Sequence, residues 1–193
     1  MTFPEIKEIL SKKTVGIAGC GGLGSNAAMA LTRVGIGKLI IADFDVIVES
    51  NLNRQYFFYD QIGQKKCFAL RDNIERVNPH CKVEAHDLKI SHETISKLFQ
   101  KCDVIIEAFD LAEMKQMIVE TIIDEFPEIP LIVGSGLAGW GKNNELKTTR
   151  NGNIYMCGDG ILEVNEQLPP LAPRVGIVSN MQANMALEIL LSK

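Results

Sequence analysis

The stretch Gly19-Cys20-Gly21-Gly22-Leu23-Gly24 constrains this chain more than any other. It fits G-x-G-x-x-G, and its flanks supply the context in which that spacing has structural meaning. Before it, residues 14–19 (TVGIAG) form a short apolar run that reads as a buried strand. After it, Leu23, Ala27, Ala30, Leu31 and Val34 recur at helical spacing, which predicts a helix over residues 23–34. Glycines at such a turn let the backbone bend sharply and approach a phosphate, while the helix N-terminus offers N–H donors and positive potential. Asp43 lies about 20 residues past the last glycine, where a carboxylate accepts hydrogen bonds from ribose hydroxyls. It closes a second apolar run, residues 38–43. A nucleotide site is implied; which nucleotide is a separate question.

The rest of the chain repeats the strand–helix rhythm. Ile6, Ile9 and Leu10 give residues 1–13 an amphipathic helical stripe. A polar stretch over 49–59 leads to a helix over 65–77, stopped near Asn78-Pro79. Strands follow over 82–88, 103–108 and 129–134, with helices over 91–100 (Ser91 as N-cap) and 113–126 between them. Alternation with several wholly apolar strands indicates an α/β, Rossmann-like, doubly wound and mainly parallel sheet. Beyond Gly134 the rhythm breaks. Residues 145–150 and 153–157 flank Asn151-Gly152, a hairpin signal. Residues 158–173, with Pro169, Pro170 and Pro173, read as loop, and an apolar helix closes the chain over 177–191. The reading is one domain: an N-terminal helix (1–13), a nucleotide-binding core (14–139), then a small antiparallel extension, a crossover loop and a closing helix (140–193).

Composition narrows the function classes. Of 193 residues, 46% are hydrophobic and 23% charged, the balance of a soluble globular protein. A net charge of −4 provides no electrostatic footprint for nucleic acid, so no such partner is expected. No run of 18 apolar residues occurs, which argues against a membrane span, and residues 1–13 lack the apolar run of an export signal. The five cysteines contain no C-x-x-C pair; reduced thiols, a cytoplasmic location and no zinc site are expected. His80, His86 and His92 show no ligand spacing.

An NAD dehydrogenase would use the same loop and acid. The segment after Asp43 weighs against it, because Asp45, Ser50, Asn51, Asn53 and Arg54 crowd acids, amides and a guanidinium into one loop, as a triphosphate and its metal require. With these residues the chain resembles the ThiF/MoeB and ubiquitin-activating-enzyme superfamily. The resemblance rests on GCGGLGS, ADFDVIVESNLNRQ, Ile62-Gly63-Gln64-Lys65-Lys66, Glu107-Ala108-Phe109-Asp110 and PRVGIVSNMQANMALEIL, in order from about residue 14 to 191.

That resemblance implies ATP- and Mg²⁺-dependent adenylylation of the C-terminal glycine carboxylate of a ubiquitin-like sulfur carrier, releasing pyrophosphate. By it, Gly19, Gly21, Gly22 and Gly24 line the phosphates and Asp43 holds the ribose. Asn51, Arg54 and Lys66 bind phosphate, with Lys65 the weaker candidate beside Lys66, and Asp110 coordinates Mg²⁺. The carrier's tail would thread under residues 158–173. Cys157 is a candidate carrier of sulfur or a thioester, set against its reading as a small buried strand residue. The short chain without zinc cysteines points to the ThiF-like branch and a ThiS-type carrier of thiamine thiazole synthesis, in a homodimer. A MoeB-like activator of the molybdopterin carrier and a non-catalytic nucleotide-binding partner are the alternatives. The family's N-terminal arginine is missing here; the first arginine is Arg33, leaving Lys7, Lys12 or Lys13 as substitutes.

Overall fold

Apolar runs of four or five residues become strands, and the longer amphipathic segments between them become the helices that cover both faces of the sheet. The computed structural model describes residues 1–192; residue 193, the end of the expected closing segment, lies outside them. In order the elements are α1 (Phe3–Leu10), β1 (Thr14–Ala18), α2 (Gly22–Arg33), β2 (Lys38–Ala42), α3 (Lys66–Val77), β3 (Lys82–His86), α4 (His92–Phe99), β4 (Val104–Glu107), α5 (Ala112–Glu125), β5 (Leu131–Ser135), β6 (Lys147–Asn151), β7 (Ile154–Gly158) and α6 (Ala172–Leu191). Short 3₁₀ turns punctuate the long β2–α3 connection at Glu49–Asn51 and Tyr59–Gln61.

The seven strands form one sheet in the order β3-β2-β1-β4-β5-β7-β6. β1 to β5 run parallel. The predicted hairpin forms, closing over Gly152 and Asn153, with Gly152 at φ 59°. The hairpin is continuous with the main sheet. β7 pairs in parallel with β5 from Leu131↔Ile154 to Ser135↔Gly158, so the only antiparallel pairing among the described strands is β6 with β7. The chain reverses its direction of travel across the sheet between β1 and β4, which opens a crevice at the strands' C-terminal ends.

Alternation along the strands divides the core. Val15, Ile17, Leu39, Ile41, Val104 and Ile106 face the layer of α2, α3 and α6. Ala18, Ile40, Ala42, Ile105 and Leu131 face α4 and α5. α6 begins five residues before the expected position, because Pro173 falls in its first turn, where a missing N–H costs nothing. Its buried stripe of Val175, Val178, Gln182, Ala186 and Ile189 lies against α2 and the sheet.

α1 sits at the other end of the strands from the crevice. The N–H groups of Gly37 and Lys38 donate to the carbonyls of Leu10 and Lys13. Of the lysines expected to stand in for an arginine, Lys12 pairs with Glu8 and Lys13 with Asp103, while the Lys7 stem lies under Gly35. Among the described residues, no helix is long and apolar enough to cross a membrane.

Candidate functional site

The glycine loop is shaped by close approach. Gly19 has φ 101°, and a Cβ there would stand 2.8 Å from the carbonyl oxygen of Ala108. A Cβ on Gly24 would collide with the Gly19 carbonyl oxygen, so glycine is needed for the loop to lie against its own helix. Two residues that sequence reasoning passed over, Ser25 and Asn26, lock this turn to the next functional segment. Ser25 Oγ donates to the Gly21 carbonyl at 2.6 Å and accepts from the Tyr56 N–H at 2.9 Å. Asn26 Nδ2 donates to the carbonyls of Gly22 (2.7 Å) and Arg54 (2.8 Å).

Asp43 stands just past β2, beside the loop. Its Oδ2 accepts from the Cys20 N–H at 2.7 Å and its Oδ1 from the Asp45 N–H at 2.8 Å. Burial pushes its carboxyl above the ordinary aspartate value, and the two N–H groups and the nearby Lys66 cation pull against that rise. Lys66 is nearly buried at the start of α3, where its Nζ lies 2.7 Å from Asp45 Oδ2. Lys65 points elsewhere, to Asp87 (3.0 Å) and the Phe44 carbonyl (2.9 Å).

These loops surround a cavity of about 320 Å³ whose walls include Gly19, Gly22, Asp43, Asp45, Arg54, Gln55 and Ala108–Leu111. Arg54 donates through Nη1 to the Ser50 carbonyl (3.1 Å) and Asn53 Oδ1 (2.7 Å), leaving much of its fork unengaged. Partial burial lowers its pKa, and Asp110 opposes that shift. Asp110 is exposed and does not cap α5, whose N-cap is Leu111. Gln55, which the sequence did not single out, is among the lining residues and is buried with its Oε1 unpartnered. A larger but shallow groove of about 550 Å³ runs along the outer face of α6 and is lined by no charged side chain.

Of the residues expected at the site, Gly19, Gly22, Asp43, Arg54 and Asp110 line this cavity. Gly21 and Gly24 shape the loop from behind, and Lys66 stands one side chain away behind Asp45. Asn51 does not line the cavity; its Oδ1 accepts from the Val48 N–H (3.2 Å) and organises its own turn. Cys157 does not line the cavity. Its side chain is buried in β7 with only Thr148 Oγ1 at 3.6 Å, and burial raises its thiol pKa, the reverse of what a nucleophile needs. All five cysteines are buried. A thiol reagent is therefore expected to modify none of them in the native protein and all of them on unfolding. Rapid labelling of native Cys157 would contradict its place in the core.

A glycine turn at a helix N-terminus, a carboxylate just past the second strand and an arginine on the wall of the same cavity define a nucleotide-binding α/β domain built on the Rossmann plan. The chain belongs to the ThiF family, whose model matches residues 3–193. Its curated relatives include the molybdopterin-synthase adenylyltransferase of Salmonella typhimurium, 26% identical over 191 residues, covering 96% of this chain and 76% of that one. The adenylyltransferase and sulfurtransferase UBA4 of Eremothecium gossypii is 29% identical over 181 residues, 90% of this chain. The present chain spans only 40% of the length of UBA4. Among solved structures, the Escherichia coli tRNA N6-threonylcarbamoyladenosine dehydratase TcdA in complex with AMP superposes with a TM-score of 0.87 at 20% identity, covering 97% of this chain and 90% of that one. Escherichia coli MccB with ATP gives 0.74 at 21% identity, with 96% and 57% covered. These structural likenesses carry the fold.

Proposed function

We propose that the protein adenylylates the C-terminal glycine carboxylate of a ubiquitin-like sulfur-carrier protein, using ATP and Mg²⁺. The observation that carries the reading is convergence: the glycine loop, Asp43, Arg54 and Asp110 come from four separate segments and meet at one cavity. Names among the family relatives, adenylyltransferases acting for molybdopterin synthase or together with a sulfurtransferase, support the same chemistry.

In the proposed reaction a carboxylate oxygen of the carrier bonds to the α-phosphorus of ATP as the bond to pyrophosphate breaks. The carboxylate is already ionised near neutral pH, so no general base is required. The barrier comes from repulsion between anions and from charge building on the phosphate oxygens, and donors fixed in advance lower both. Arg54 supplies a planar, permanently charged fork, and the start of α2 supplies N–H groups. Asp43 accepts from the ribose. Lys66 serves as a second cation by turning from Asp45 toward the phosphates. The exposed carboxylate of Asp110, free of any cap or ion pair among the described residues, suits Mg²⁺, a hard cation that neutralises polyphosphate charge when bound. The carrier's tail would enter beneath the segment from Gly158 to Pro173, which leans on the site through Asn53 Nδ2 and the Pro170 carbonyl, 3.3 Å apart.

The reading extends to the whole chain as one adenylation unit, acting as a homodimer in the cytoplasm. The absence of C-x-x-C pairs from these residues favours the ThiS-type carrier, whereas the molybdopterin-synthase relatives favour the molybdopterin carrier. Intact-mass measurement after incubating each carrier with Mg²⁺·ATP separates these. Addition of one AMP to a single carrier identifies the substrate. A protein that binds ATP and modifies neither would be the non-catalytic partner instead.

A further inference from the structure

Glu107 is the last residue of β4 and has no exposed surface. Three apolar residues precede it, and burying a carboxylate there is costly unless hydrogen bonds and a counter-charge compensate. Both are present. Lys115, from α5, places Nζ 2.8 and 3.0 Å from the two carboxylate oxygens and donates a further bond to the Gly134 carbonyl at 2.9 Å. The N–H of Phe109 donates to Glu107 Oε1 at 2.6 Å, and the N–H of Gly134 to Oε2 at 3.3 Å. Gln182, buried in α6, donates to the Glu107 carbonyl at 2.8 Å.

A stretch of β4 that only needed to pack would do as well with an apolar residue and no lysine. What an apolar pair cannot supply is an acceptor for the Phe109 N–H. That bond fixes the turn immediately beyond β4, and the residues of this turn, Ala108 to Leu111, form one wall of the cavity. Asp110, the proposed metal ligand, follows the anchored residue directly. We infer that Glu107, paired with Lys115, is a positioning residue that holds the Phe109–Asp110 turn in place for the metal–nucleotide complex. The inference rests on the adenylylation proposed above.

The test uses full-length protein carrying Glu107→Leu with Lys115→Leu, and Glu107→Gln alone should the double variant not fold. Three quantities are read: hydrogen exchange of the Phe109 amide, affinity for ATP without metal, and affinity for Mn²⁺ in the presence of ATP, followed by electron paramagnetic resonance. The expected result is faster exchange at Phe109 with metal-free ATP affinity unchanged, and Mn²⁺ affinity reduced about 10–100-fold, the usual effect of losing a residue that orients a metal ligand. A merely structural role would weaken both affinities together or neither. Wild-type exchange and Mn²⁺ affinity in the variant would overturn the positioning role alone. Wild-type protein that binds no ATP would overturn the proposed function as well.

Discussion

Arg54→Ala is expected to fold and to lose roughly 10²–10³-fold of carrier-dependent ATP–pyrophosphate exchange, about 2.7–4 kcal/mol of transition-state stabilisation. The size follows from where the charge is needed. The α-phosphate gains negative charge as a second anion approaches, and no other arginine lines the cavity among the described residues. Stability should change little, because the Arg54 side chain makes only two local hydrogen bonds, to Ser50 and Asn53, and such bonds contribute about 1 kcal/mol each. Arg54→Lys separates charge from shape: it keeps the cation and loses the two-pronged fork, so recovery should be partial. Melting curves beside the exchange assay check both halves. Full exchange by the alanine variant would remove Arg54 from the mechanism.

The largest effect on stability is expected at Arg174. This arginine is almost wholly buried at the start of α6, with Nη2 2.5 Å from Asp159 Oδ2 and Nη1 2.6 Å from the Gly141 carbonyl. Asp159 in turn accepts from the N–H groups of Ile161 (2.8 Å) and Leu162 (2.9 Å), so the pair pins the loop after β7 to the closing helix. Arg174→Met would leave a buried carboxylate without its cation and should cost about 3–5 kcal/mol, a large part of a typical domain's stability. Urea unfolding measures it. The pH dependence has a definite sign. Burial, the largest influence, acts to raise the Asp159 carboxyl, but the N–H groups of Leu162 and Ile161 together with Arg174 outweigh it and hold the pKa below the ordinary aspartate value. A lowered carboxylate pKa stabilises the fold above the ordinary value and ceases to do so as pH falls through the lowered one. The gap between wild type and Arg174→Met should therefore be full at neutral pH and narrow in strong acid.

Much of this architecture was legible because single segments carried it. The apolar run, glycines and helical spacing around Gly19–Gly24 are local, and so is the Asn-Gly signal of the hairpin, which closes one residue later than expected. Features that depend on distant partners were not legible. Nothing in residues 154–158 announces that β7 would join β5 in parallel, since that pairing is set by the whole sheet. Pro173 read as a loop residue, although a proline is equally at home in a first helical turn. At the site, the family resemblance pointed to Arg54 and Asp110, and both line the cavity. That resemblance could not reveal that Lys66 is held by Asp45, that Asn51 turns back into its own loop, or that Cys157 is sealed in the core. Glu107 looked like the end of an apolar strand because its partners, Lys115 and Gly134, lie one helix and one strand away.

The most direct test of carboxylate adenylylation is ATP–pyrophosphate exchange with Mg²⁺, run with an intact ubiquitin-like carrier and with the same carrier lacking its terminal glycine. Exchange is expected only with the intact carrier, because reversal of the reaction requires an acyl adenylate on that carboxylate. Exchange that proceeds equally with the truncated carrier, or none with any intact carrier in protein that binds ATP, would contradict it.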